Sequence, residues 1–129
     1  MKIEINNLTK EKTDVKSLKK IAEKVLSLDK LGMKISNKFS EISVVLVGDA
    51  KMKSLNKKYR KKNRITDVLA FDYGEIIICL SQAKRQAKQL GHSLKKELAT
   101  LMVHGILHLV GYDDETKTGY NRMVKMQNK

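Results

Sequence analysis

Two histidines carry the first chemical signal in this chain of 129 residues. They sit in the run His104-Gly105-Ile106-Leu107-His108-Leu109-Val110-Gly111-Tyr112-Asp113-Asp114. On an α-helix, residues i and i+4 share a face one turn apart, so both imidazoles can aim at one ion. Gly111 can end the helix, and Asp114 beyond the bend can supply a carboxylate. Two His and one carboxylate, with a position left for water, is a pattern of catalytic rather than structural zinc. Such an ion polarises a phosphoryl or carbonyl oxygen and lowers the pKa of its bound water toward ~7. A His pair at this spacing also occurs in plain packing. Here the helix is otherwise apolar, and two buried imidazoles without partners are costly. Asp114 has a second use, as N-cap of a following helix with Glu115 near its positive end. Asp113 can take that place and leave Asp114 for the ion. Tyr112 reads as core or lip of the site, and His92, beside Gly91 in a turn, as solvated.

The spacing is also that of the metzincin proteases, which carry a Glu after the first His as general base. That position is Gly105 here, so proteolysis by that route is disfavoured. The second chemical feature is cationic. Lys51, Lys53, Lys57, Lys58, Arg60, Lys61, Lys62 and Arg64 are eight positive charges, with no acid among residues 51 to 64. A charge run is commonly a solvated face. In a protein with 27 Lys+Arg against 14 Asp+Glu, net +13, it reads as a phosphate-binding surface that gains affinity by counterion release. Within it, Lys57, Lys58, Arg60, Lys61, Lys62 and Arg64 are the candidates to contact a polyanion, RNA, DNA or an anionic membrane. Arg60 is the best single clamp, because its planar fork matches phosphate oxygens. Aromatic residues are only 5% of the chain, which argues against an extended stacking platform for bases.

These groups need a scaffold. The length fits one domain over 1–129 that can bury a core without disulfides. The single cysteine, Cys79, fits a reducing, cytoplasmic setting. No signal-peptide pattern and no run of ~20 apolar residues is present. Ile3 and Ile5 alternate with polar residues as a short strand. Asp14 can cap a helix with Val15, Leu18, Ile21, Ala22, Val25 and Leu28 on one face. Ile42 to Val47 form a β-branched strand. Gly48-Asp49 open a basic helix to about Tyr59. Val68, Leu69 and Phe71 suggest a third strand, Gly74 a turn, and Ile76 to Leu80 a fourth strand. Ser81 and Ser93 are expected to cap two helices broken near Gly91. The second, with Leu94, Leu98, Leu101, Met102, Ile106, Leu107 and Val110, is apolar almost all round and belongs in the middle of the domain. It should stop at Gly111, and a last helix runs from about Asp114 to Met126. The expected fold is α+β, an α/β sandwich. Its mixed sheet has about four strands, one antiparallel and on an edge, under about five helices.

The metal stretch resembles the signature of the YbeY family of rRNA-maturation endoribonucleases, H-G-x-L-H-L-x-G-Y-D-H. It matches at His104, Gly105, Leu107, His108, Leu109, Gly111, Tyr112 and Asp113. A second block, N-x-x-Y-R followed by T-D-V-L-S-F-P, is echoed by Asn56, Tyr59, Arg60, Thr66, Asp67, Val68, Leu69 and Phe71. A third, G-D-I-x-I, is echoed by Gly74, Glu75, Ile76 and Ile78. The resemblance implies a zinc-dependent, single-strand-specific endoribonuclease with one zinc per chain. It would mature the 3′ end of small-subunit ribosomal RNA and serve ribosome quality control, with the ribosome or its precursors as partner and no membrane or DNA partner expected. By position it makes His104 and His108 metal ligands and catalytic residues, and Arg60 a catalytic or RNA-binding residue in a positive cleft. Three departures stand out. Asp114 replaces the family's third His, Ala70 and Asp72 replace its Ser and Pro, and little chain separates Phe71 from Gly74. An anionic third ligand weakens the ion as a Lewis acid and leaves room for another divalent metal, since two His and a carboxylate also suit iron. Asp67 is a weak candidate for general base. The rival readings are a non-catalytic RNA-binding ribosome-assembly factor with a degenerate metal site, and a metallohydrolase of other substrates.

Overall fold

The computed structural model describes residues 1–111. Tyr112, Asp113, Asp114 and the helix expected from Asp114 to Met126 lie outside the described residues. Four strands form one sheet: β1 (Lys2–Asn7), β2 (Glu41–Val47), β3 (Val68–Phe71) and β4 (Glu75–Cys79). Their order is β1-β2-β4-β3. β1 pairs parallel with β2, and β2 parallel with β4. β3 is the antiparallel edge strand, with Val68 opposite Ile78 and Phe71 opposite Glu75. The turn between β3 and β4 needs Gly74, whose φ is +103°, a region that disfavours side chains.

Alternation along the central strands splits the core into two layers. Ile42, Val44 and Leu46 of β2 join Ile76 and Ile78 of β4 in the larger cluster on one face. Val47, Ile77 and Cys79 lie in a smaller cluster with Met52 and Leu69 on the other. Four helices supply residues to the larger layer: α1 (Val15–Leu26), α2 (Asp29–Lys38), α4 (Leu80–Leu90) and α5 (Leu94–Leu109). α3 (Asp49–Arg60) covers the smaller one. This is the expected α+β mixed sheet with one antiparallel edge strand.

α1 starts as its sequence demands: the Asp14 carboxylate accepts the Ser17 backbone N–H at 3.0 Å. The helix expected to run from Val15 to Leu28 is shorter, and a second helix that the sequence pattern did not assign follows it. α1 stops at Leu26, and α2 follows without a side-chain cap on Leu28, burying Leu31 and Ile35. Ser81 is not a helix cap. The N-cap is Cys79, and Leu80, assigned above to the strand, is the first residue of α4. The Ser81 hydroxyl instead donates to Asp49 Oδ1 at 2.8 Å. α4 does end at Gly91, in the left-handed conformation at φ +70°.

α5 is the helix that positions the histidines. The Ser93 hydroxyl caps it by accepting the Lys96 N–H at 3.1 Å. Leu98, Leu101, Met102, Ile106, Leu107 and Leu109 are buried in the large layer. The helix ends at Leu109, with Val110 as C-cap and Gly111 turning the chain at φ +92°. Gly105 lets it lie directly on the sheet. A Cβ there would come within 2.7 Å of Ile76 Cγ2, and Ile76 is fully buried.

Candidate active site

His104 and His108 leave α5 on the side facing β3 and converge. Their Nε2 atoms are 3.0 Å apart, and their ring centroids 4.7 Å. Two nitrogens bound to one tetrahedral ion at ~2.05 Å stand ~3.3 Å apart. The pair therefore fits a shared divalent ion with minimal adjustment. Among the described residues no third His, Cys, Asp or Glu completes a metal group, and the expected third ligand, Asp114, lies outside them. A side chain at position 105 would have to displace Ile76. Gly105 carries no side chain and lies packed against Ile76, so the metzincin-type mechanism stays disfavoured.

The pair opens into a cleft of about 630 Å³ that runs along the free edge of β3. Its far wall is the C-terminal end of α3 and the loop after it, through Tyr59, Arg60, Lys62, Thr66 and Asp67. Of the cationic candidates, Arg60 and Lys62 line this cleft. Lys57, Lys58, Lys61 and Arg64 are exposed on the same helix end and loop, beside the cleft rather than in it. No described carboxylate lies in salt-bridge range of Arg60, so its guanidinium is open to a phosphate. The chain turns sharply after Arg60 because Lys61 adopts a left-handed conformation at φ +58°. Asn56 fixes the loop: it is buried, and its Nδ2 donates to the Arg64 carbonyl at 2.9 Å. Asn56 is thus the scaffold on which the cationic loop hangs.

Among the described residues, Asp67 is the carboxylate that lines the cleft. Its Oδ1 accepts the Val68 backbone N–H at 2.8 Å, and its Oδ2 accepts from Gln86 Nε2 at 3.3 Å. The same Gln86 Nε2 donates to Glu97 Oε2 at 2.7 Å, and Glu97 Oε1 meets His92 Nε2 at 2.7 Å. His92 is therefore not a solvated turn residue. It partners Glu97, a carboxylate only 3% exposed, which would be costly to bury alone. This chain of contacts reaches from the turn at Gly91 to the cleft. Sequence reasoning missed it because its members lie on α4, α5 and two loops.

A further group was missed. Phe71 packs edge-on against Tyr59, with centroids 5.1 Å apart and planes at 72°. On its other side Phe71 stacks on Tyr73 at 5.7 Å and 15°. The 5% aromatic content thus conceals a local concentration. No periodic signal in the sequence points to it, because Tyr73 sits in the turn after β3 and Tyr59 on α3.

Comparison with known proteins agrees with this architecture. The family model described as endoribonuclease YbeY matches residues 4–129. The endoribonuclease YbeY of Aquifex aeolicus is 42% identical, over 84% of this chain and 75% of its own length. That of Phytoplasma australiense is 36% identical, over 100% of this chain and 92% of its own. The solution structure of TM1509 from Thermotoga maritima matches with a TM-score of 0.65 and 30% identity, covering 96% of this chain and 85% of that one. With the paired histidines of α5, the arginine at the end of α3 and the sheet between them in place, this chain belongs to the YbeY endoribonuclease family.

Proposed function

We propose that this protein is a metal-dependent endoribonuclease that cuts single-stranded ribosomal RNA. Its role would be maturation of the small-subunit rRNA 3′ end and ribosome quality control, as the family resemblance implies, with precursor ribosomal particles as partners. The observation that carries the catalytic reading is the convergence of His104 and His108 at 3.0 Å, in the same cleft as Arg60. His104, His108 and Asp114 would hold the ion, zinc by the donor set. Bound there, it supplies a Lewis acid and a water of lowered pKa. Arg60 pairs with the scissile phosphate and offsets the charge that develops on its oxygens. Lys62 adds a second cation in the cleft. The exposed lysines around them draw the polyanion in. Asp67, whose carboxylate accepts a hydrogen bond from Gln86, would serve as the general base.

The test uses purified protein, its metal content and a labelled unstructured RNA. The parent should carry about one metal per chain and cleave the RNA, and a chelator should stop cleavage without stopping binding. His108→Ala should reduce cleavage by ~100-fold or more, since loss of metal assistance is worth several kcal/mol. A His108→Ala protein that cuts as fast as the parent overturns the metal mechanism. Tight binding with no cleavage by the loaded parent supports the non-catalytic assembly factor instead.

A further inference from the structure

We propose that Tyr59, backed by Phe71 and extended by Tyr73, is the base-stacking rail of the cleft. On this assignment the protein recognises unpaired nucleobases as well as phosphates. The inference rests on the reading of RNA as substrate and adds how a single strand is selected.

Four observations carry it. First, three of the four Phe and Tyr residues within the described chain are in this one stack; the fourth, Phe39, is buried in the core. Second, the two outer rings face solvent. Tyr59 is 54% exposed and Tyr73 66%, while Phe71 between them packs on the small core layer. Exposed rings packed on a partly buried one offer a flat apolar face at low entropic cost. Third, Tyr59 and Phe71 line the same cleft as His104, His108, Arg60 and Lys62. A strand whose phosphate meets Arg60 therefore has a ring within reach of its neighbouring base. Fourth, the surroundings are cationic on the α3 side: Lys58 Nζ lies 5.2 Å from the centre of the Tyr59 ring. The combination of a positive groove and aromatic faces is how single strands are held without sequence preference. A duplex hides its base faces and cannot use it.

The outer end is graded. The Tyr73 hydroxyl donates to Glu75 Oε1 at 2.9 Å, which fixes that ring, and Asp72 adjoins it in sequence. These carboxylates repel a phosphate. The RNA backbone must therefore run on the α3 side, and Tyr59 is the principal stacking position, with Tyr73 secondary.

The experiment compares binding of a single-stranded RNA of about 12 nucleotides, an abasic strand of the same length and charge, and a duplex, read by fluorescence anisotropy with a chelator present to stop turnover. The parent should bind the base-bearing strand most tightly. Tyr59→Ala should lose ~10-fold affinity for that strand and none for the abasic one, with an unchanged salt slope. Tyr73→Ala should lose less, about threefold. Tyr59→Trp should restore binding, and circular dichroism should show all variants folded. If Tyr59→Ala weakens the abasic strand equally, or leaves both unchanged, the stacking assignment is overturned. The nuclease reading fails separately: a metal-loaded parent that never cuts RNA sinks it, whereas base-dependent binding through Tyr59 would survive.

Discussion

The two walls of the cleft are built on opposite plans. α5 buries most of its length in the core, and its histidines emerge half-buried from a helix clamped between the sheet and its neighbours. α3 buries only Met52 and Asn56, and its cations stand in solvent. Groups that must converge on one point within tenths of an ångström are held by packing, which resists displacement. Groups that must meet a long, variable polyanion are held by little more than one helix end and an asparagine. A core substitution under α5 should therefore act like an active-site lesion, and a charge substitution on α3 should act only on encounter and salt dependence.

The sharpest break of this contrast is Arg60, the one α3 cation that lines the cleft with the histidines. Arg60→Ala should lower kcat/KM for single-stranded RNA by about 100-fold, with the melting temperature unchanged. Arg60→Lys should recover only part, because a point charge lacks the fork. Next comes the packing wall. Gly105→Ala forces Ile76 to move and should destabilise the protein by about 1–3 kcal/mol in urea titrations. Its cleavage should fall together with its stability. An equally stable Gly105→Ala protein would show that α5 is not held as described. Smaller again is the joint replacement of Lys57, Lys58 and Lys61 by Gln. It should make the plot of log affinity against log salt shallower by about 2, while kcat stays within about twofold at low salt.

The smallest effect is acid stability at the other end of α3. The Asp49 carboxylate is held well below its ordinary value of 3.8, first by its hydrogen bonds with Arg85, then by those from Ser81 and Cys79. Arg85 meets it with two nitrogens, at 2.8 and 3.0 Å. A carboxyl depressed in the fold stabilises it fully above its unfolded pKa, and that contribution is lost as pH falls through the folded pKa. The parent should thus lose urea resistance below about pH 4 more steeply than Asp49→Asn. The side chain is 37% exposed, so solvent keeps the difference small.

Most of this was legible in the residues. The β-branched runs, the caps at Asp14 and Ser93, the bends at Gly91 and Gly111 and the His104–His108 spacing each have a local cause, and local causes read directly from sequence. What stayed hidden depends on tertiary partners. α2 contains Gly32, Ser36 and Asn37 and no side-chain cap, so its propensity is poor and packing of Leu31 and Ile35 makes it. Ser81 has a cap's chemistry, but Asp49, 32 residues away, takes its hydroxyl. His92 looked solvated because Glu97 reaches it only once α5 has formed. The aromatic stack joins α3 to the turn after β3, a proximity that neither segment encodes alone.

One long-range bond ties the hidden helix to the site. Lys38, the last residue of α2, donates from Nζ to the Leu109 carbonyl at 2.8 Å, one residue beyond His108. A cation there satisfies an orphan carbonyl and suits the negative end of α5. A random-mutagenesis screen for lost nuclease function should consequently return hits at Lys38, in a stretch with no chemical motif, because that ammonium sets how firmly the last turn of the histidine helix closes.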